Sequence, residues 1–100
     1  MRGILLEDSP NSRISVRRNT VAAVTDGIFL SNTQGAFIAN NDVQLSTHNG
    51  IWANATSTAN RIIANRISDS VNLDVLDDSN DNCWLRNTFQ TGTVNTNGCN

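Results

Sequence analysis

The sequence predicts an all-β solenoid, about four copies of one small unit stacked so that like strands run parallel. Two columns of residues predict it. An asparagine recurs at Asn19, Asn41, Asn65 and Asn87, at spacings of 22, 24 and 22 residues. Out of phase with it, Gly3, Gly27, Gly50 and Asn72 recur at spacings of 24, 23 and 22. Periods of this size mark repeat architectures, in which each unit buries its apolar face only against its neighbours.

Each unit opens with a strand at its glycine-column residue. The openings read Gly3-Ile4-Leu5-Leu6, Gly27-Ile28-Phe29-Leu30, Gly50-Ile51-Trp52-Ala53 and Asn72-Leu73-Asp74-Val75. Their second and fourth positions are apolar, a period of two that gives a strand one buried face. The second and third strands flank the asparagine. Three residues before it stand Val16, Ile38, Ile62 and Trp84, and two residues after it Val21, Val43, Ile67 and Phe89. Asparagine tolerates the left-handed backbone of a sharp bend, so Asn19, Asn41, Asn65 and Asn87 are read as corners. Stacked corners let the side-chain amides bond from coil to coil as a ladder.

The turns absorb the length differences. Glycine column to asparagine takes 16, 14, 15 and 15 residues, and asparagine to the next glycine column 8, 9 and 7, so the strands stay in phase. Small and polar stretches such as Ser31-Asn32-Thr33-Gln34-Gly35 read as those turns. The coils expected are 3–26, 27–49, 50–71 and 72–89, with a cap over 90–100, all in one domain of 1–100. Right-handed coiling follows by analogy with parallel crossovers.

The repeat, read loosely as Gly-Ile-x-Leu, a loop, then Ile-x-x-Asn-x-Ile, resembles that of the right-handed parallel β-helix proteins of the pectate-lyase-like superfamily. It stands here as Gly27-Ile28-Phe29-Leu30 with Ile38-Ala39-Asn40-Asn41-Asp42-Val43, and the resemblance covers residues 3 to about 89. That group includes polysaccharide lyases, epimerases, phage tailspikes, adhesins and the periplasmic accessory proteins of nitrous oxide reductase. The resemblance implies the fold and selects none of these activities. The run Asn82-Cys83-Trp84-Leu85-Arg86-Asn87-Thr88-Phe89 followed by Gly98-Cys99 is similar to the last coil and closure of such proteins. It implies a Cys83–Cys99 disulfide pinning the cap, with two reduced thiols as the alternative, and a disulfide implies export to the periplasm, cell surface or extracellular space. Met1-Arg2 leads straight into the first repeat strand, and an open parallel edge needs a cover. The chain is therefore expected to be the C-terminal piece of a longer β-helix, or to dock its first coil on another chain.

Composition narrows the function. A formal net charge of −2, no lysine and seven scattered arginines argue against nucleic-acid binding. No apolar run approaches membrane-spanning length. Asparagine, at 16 residues, suits a fold of many corners.

The candidate sites are few. In the expected register the outward column of the first strand stacks Leu5, Phe29, Trp52 and Asp74. Phe29 and Trp52 would stack on sugar faces with Asp74 taking hydroxyls, unless a loop or another subunit covers the rings. Asp77, Asp78 and Asp81 form an oxygen-rich turn of the kind that holds calcium, although their spacing matches no calcium loop. The bland alternative is a solvated turn. His48, the sole histidine, has no acidic neighbour in sequence and reads as a loop residue. No nucleophile motif, phosphate loop or Cys/His metal spacing appears.

The reading is a non-catalytic segment of an exported protein, presenting a strand face to polysaccharide or another surface, with calcium the one cofactor considered. One alternative is the C-terminal part of a polysaccharide lyase, epimerase or hydrolase. Another is a periplasmic scaffold resembling the nitrous oxide reductase accessory proteins, against which the lack of Met-rich or His-rich motifs counts.

Overall fold

The computed structural model describes residues 2–10, 13–94 and 99. Its strands, in chain order, are β1 (Ile4–Ser9), β2 (Ser15–Arg17), β3 (Thr20–Ala22), β4 (Ile28–Thr33), β5 (Phe37–Ala39) and β6 (Asp42–Gln44). There follow β7 (Asn49–Ala53), β8 (Arg61–Ile63), β9 (Arg66–Ser68), β10 (Leu73–Asp77) and β11 (Cys83–Leu85). They form three parallel sheets, β1-β4-β7-β10, β2-β5-β8-β11 and β3-β6-β9. The chain is thus an all-β parallel solenoid. Three turns carry all three strands, and in a fourth the third strand is reduced to a single bridge, Arg66 with Thr88.

The core is a set of vertical stacks. Ile4, Ile28, Ile51 and Val75 are in register, as are Val16, Ile38, Ile62 and Trp84, and Val21, Val43 and Ile67. Phe89 packs against this core from the fourth coil. Each rung adds one side chain per sheet to a continuous apolar column, so a short strand suffices where a lone hairpin would not.

The asparagine column is a ladder of hydrogen bonds. The Asn41 Oδ1 accepts from the backbone N–H and the Nδ2 of Asn19, at 3.0 and 3.1 Å. Asn65 does the same for Asn41, and Asn87 for Asn65. The Nδ2 groups of Asn41, Asn65 and Asn87 also donate to the carbonyls of Val16, Ile38 and Ile62. The bend itself lies one residue earlier than expected. The left-handed residues are Arg18, Asn40, Ala64 and Arg86, with φ between 56 and 59°. Each ladder asparagine is therefore free to turn its amide into the stack, and the preceding residue carries the bend. A second ladder, absent from the sequence reading, crosses the corner ahead of the β5-β8-β11 sheet. There Asn60 Oδ1 accepts from Ala36 N, and Asn82 Oδ1 accepts from Asn60 N and Nδ2.

Gly27 and Gly50 are required by close approach rather than by φ. A Cβ on Gly27 would overlap Val43 Cγ1 and lie 2.6 Å from the Gly50 carbonyl oxygen, and one on Gly50 would overlap Ile67 Cγ2. Gly3 packs in the same way against Val21. In the fourth coil the column is continued not by Asn72 but by Asp74, because Leu73 pairs with Asn49 and Val75 with Ile51. The expected frame was two residues early. Strand patterning repeats every two residues, so a shift of two keeps the apolar residues on the same face and hides itself.

Of the expected cap over 90–100, residues 95–98 and 100 lie outside the described residues. Residues 90–92 cover β10: Val75 N donates to Thr91 O, and Asp74 N to Thr91 Oγ1. Cys83 and Cys99 form a disulfide that ties the cap to β11.

Candidate functional site

The two-residue correction rearranges the outward column of the first sheet. It runs Leu5, Phe29, Trp52 and Leu76, and Asp74 is not in it. The Phe29 and Trp52 rings do stack, with centroids 4.4 Å apart and planes 30° from parallel. Phe29 is buried at 8% exposure, with the Arg2 guanidinium carbon 4.6 Å above its ring. Trp52 is half-buried, and its Nε1 donates to Asp78 Oδ2 at 2.8 Å. The polar neighbour of the aromatic pair is thus Asp78, not Asp74.

Asp74 lies inside, at 2% exposure. One carboxylate oxygen accepts from Ser70 N and the other from Gln90 N and Thr91 N. Burial pushes its carboxyl up, but the amides of Gln90, Ser70 and Thr91 outweigh burial and hold it below the usual value. A depressed folded pKa means that its stabilisation is fully present above the ordinary carboxylate range and is lost as pH falls through the lowered value. Asp74→Asn is therefore expected to lower the denaturation midpoint at pH 7. The gap from the natural chain should close as pH drops below about 4, the ordinary aspartate range. A gap unchanged between pH 7 and 3 would remove the ionised carboxylate from the account.

Asp77, Asp78 and Asp81 do not converge on a cation. Asp77 Oδ1 accepts from Ser79 N, Ser79 Oγ, Asn80 N and Asn82 Nδ2, while its Oδ2 accepts from the Trp84 indole at 2.9 Å. Those oxygens close the turn and satisfy the buried indole. Asp78 serves Trp52, and Asp81 is exposed. Among the described residues no group of three or more His, Cys, Asp or Glu side chains could hold a metal ion.

A second polar cluster lies at the corner leading into β4 and β7, where Asp26 of one coil meets His48 of the next. His48 N donates to Thr25 O and Gly27 N to Asn49 O, which locks the two corners in register. His48 Nδ1 is then 2.9 Å from Asp26 Oδ1. The Asp26 side chain is 3% exposed and that of His48 45%. Asp26 Oδ1 also accepts from Asn49 N, and Arg2 Nε is 3.6 Å from its Oδ2. The His48 ring meets the Trp52 ring edge-on, centroids 5.6 Å apart. Arg2, Phe29, Trp52, His48 and Asp26 thus form one continuous patch.

Sequence reasoning missed the Asp26–His48 pair because it sought a partner nearby in the chain. The signal was present: the two are separated by 22 residues, one coil. At the corner entering β5 and β8 a cleft of about 360 Å³ is lined by residues including Arg13, Ile14, Phe37 and Arg61, with the Arg61 guanidinium carbon 5.6 Å from the Phe37 centroid.

A family model described as "NosD: Periplasmic copper-binding protein (NosD)" matches residues 1–99 of the chain. No curated protein and no solved structure matches it.

Proposed function

From membership of the NosD family of periplasmic copper-binding proteins, to which this chain belongs, we propose that it is a rigid accessory scaffold in the periplasmic handling of copper for a copper enzyme such as nitrous oxide reductase. The observation that carries the reading is the family match along residues 1–99. The disulfide accords with a protein of an oxidising compartment.

Soft thiolate and thioether ligands suit copper(I), and imidazole suits copper(II). Both cysteines are joined in the disulfide, and the sequence holds one histidine and one methionine. The described residues therefore do not fit a closed copper site. A scaffold that engages a partner while copper is loaded fits them better than a store that holds the ion alone. Its stiffness comes from the ladders, which fix one coil against the next through buried amides.

Deleting the gene from a host that makes nitrous oxide reductase is expected to lower the copper content of the purified enzyme, measured by elemental analysis against protein. Undiminished copper in the deletion strain would overturn the reading.

A further inference from the structure

We propose that the cleft between Arg13 and Arg61 is a docking site for an acidic segment of a partner protein, one that carries carboxylates beside an apolar side chain. Its occupant rests on the scaffold reading above, which supplies the partner.

The cleft spans three coils. Arg13 precedes β2 on the first, Phe37 opens β5 on the second and Arg61 opens β8 on the third. Phe37 and Arg61 are in register, and neighbouring parallel strands stand roughly 4.8 Å apart. The cleft thus carries an arginine on either side of one aromatic ring. The Arg61 guanidinium carbon lies 5.6 Å from the Phe37 centroid. The ring face attracts the cation and leaves the N–H edge of its planar fork for an oxyanion.

What the lining can donate is narrow. The other lining residues are Ile14, Gly35, Ala36, Phe37 and Ala59, and none has a side-chain hydrogen-bonding group. The main-chain N–H groups of Ala36, Phe37, Ala59 and Arg61 already donate, to Asn60 Oδ1, Ile14 O, Asp81 O and Ala36 O. Among the described residues, neither lining arginine has an ion-pair partner. A hydroxyl-rich ligand needs acceptors as well as donors, and guanidinium only donates. It matches a carboxylate with two parallel hydrogen bonds. The lining therefore suits carboxylates on an apolar body.

A chain segment fits better than a free small acid. Arg13 and Arg61 are exposed and Ile14 is 39% exposed, whereas sites for small molecules bury most of their ligand. The cleft also runs out onto a strand face. No residue of β2, β5, β8 or β11 is acidic. Two residues beyond Phe37 and Arg61, the same face carries Arg17, Ala39 and Ile63 in register. An extended segment leaving the cleft thus meets a further positive charge and more apolar surface. The chain as a whole has a formal charge of −2, so the attraction is confined to this face.

The test titrates the isotope-labelled whole chain with the acetylated, amidated peptide Glu-Leu-Glu-Phe-Glu. Its glutamine counterpart and benzoate are run beside it, and binding is followed by nuclear magnetic resonance shifts. Saturable shifts at Phe37, Ala59 and Arg61 are expected with the glutamate peptide. They should fade between about 0.1 and 1 M salt, as the Debye length falls from about 10 to 3 Å. Arg61→Gln should weaken binding about fivefold, the upper range for one exposed charge pair. Arg13→Gln with Arg61→Gln should weaken it roughly 25-fold if the two add. Arg86→Gln, on the fourth coil and outside the lining, should change nothing. Equal binding of the glutamine peptide, or undiminished binding by the double variant, overturns the proposal. Benzoate binding as tightly as the peptide overturns it in favour of a small acid. In the host, a double-variant gene that restores full reductase copper would overturn docking at this cleft while leaving the scaffold reading intact.

Discussion

Replacing Asn65 with alanine is expected to lower the stability of the fold by about 3–5 kcal/mol, at 1–3 kcal/mol for each buried polar group left without a partner. The side chain is 1% exposed as part of its residue and makes four hydrogen bonds. Its Oδ1 accepts from Asn41 N and Nδ2, and its Nδ2 donates to Ile38 O and Asn87 Oδ1. Alanine strands the Asn41 amide and the Ile38 carbonyl inside the stack, where water does not reach them. A loss of this size is a large part of the roughly 5–15 kcal/mol that holds a typical domain together. Urea denaturation of the variant beside Thr47→Ala, a change at an exposed bend, measures it. A loss below about 1 kcal/mol, the net worth of one ordinary hydrogen bond, would mean that the ladder is not what holds the coils together.

The second large effect is expected at the disulfide. Cys83 and Cys99 are 16 residues apart, a loop whose closure is worth about 3 kcal/mol on chain-entropy grounds. Cys83 is buried, so the cleaner variant is Cys99→Ser, which leaves a small thiol in the core. Its denaturation midpoint should fall, and reductant should bring the natural chain to the same midpoint while leaving the variant unmoved. The cap residues Gln90 and Thr91, which bond Asp74 and Val75, should then be cut by protease earlier than the coils. If reduction leaves the midpoint of the natural chain where it was, the bridge does not hold the cap.

The architecture was legible because a solenoid writes its geometry into a period. The stacks of Val16, Ile38, Ile62 and Trp84, and of Val21, Val43 and Ile67, lie where the spacing places them, and the asparagine ladder follows from the same period. What failed was local. Asn72-Leu73-Asp74-Val75 imitates the opening of a coil, and alternation alone does not distinguish frames two residues apart. That slip put Asp74 on the surface, when it is buried under the cap. The left-handed residues were placed one position late because asparagine is the usual occupant of such a bend, whereas here Arg18, Ala64 and Arg86 adopt it. The Asp26–His48 pair and the bond from Trp52 to Asp78 were legible only in the next coil, at separations of 22 and 26 residues. A polar contact carries no alternation that would flag it along the chain. The site became visible only when the coils were superposed.

The inward column of the first sheet runs Leu6, Leu30 and Ala53, and then Asp77. Every coil before that one is a template, offering the next an apolar strip and a row of free backbone groups. Asp77 spends its oxygens on the Trp84 indole and its own turn, and Gln90 and Thr91 take up hydrogen bonds of Asp74 and Val75 in β10. A further coil laid on this face would have to desolvate a carboxylate already in use and displace the chain that covers β10. The same stacking that builds the molecule would otherwise build a fibril. The charged residue at the fourth rung and the chain laid over β10 thus both work against a second molecule stacking on this face.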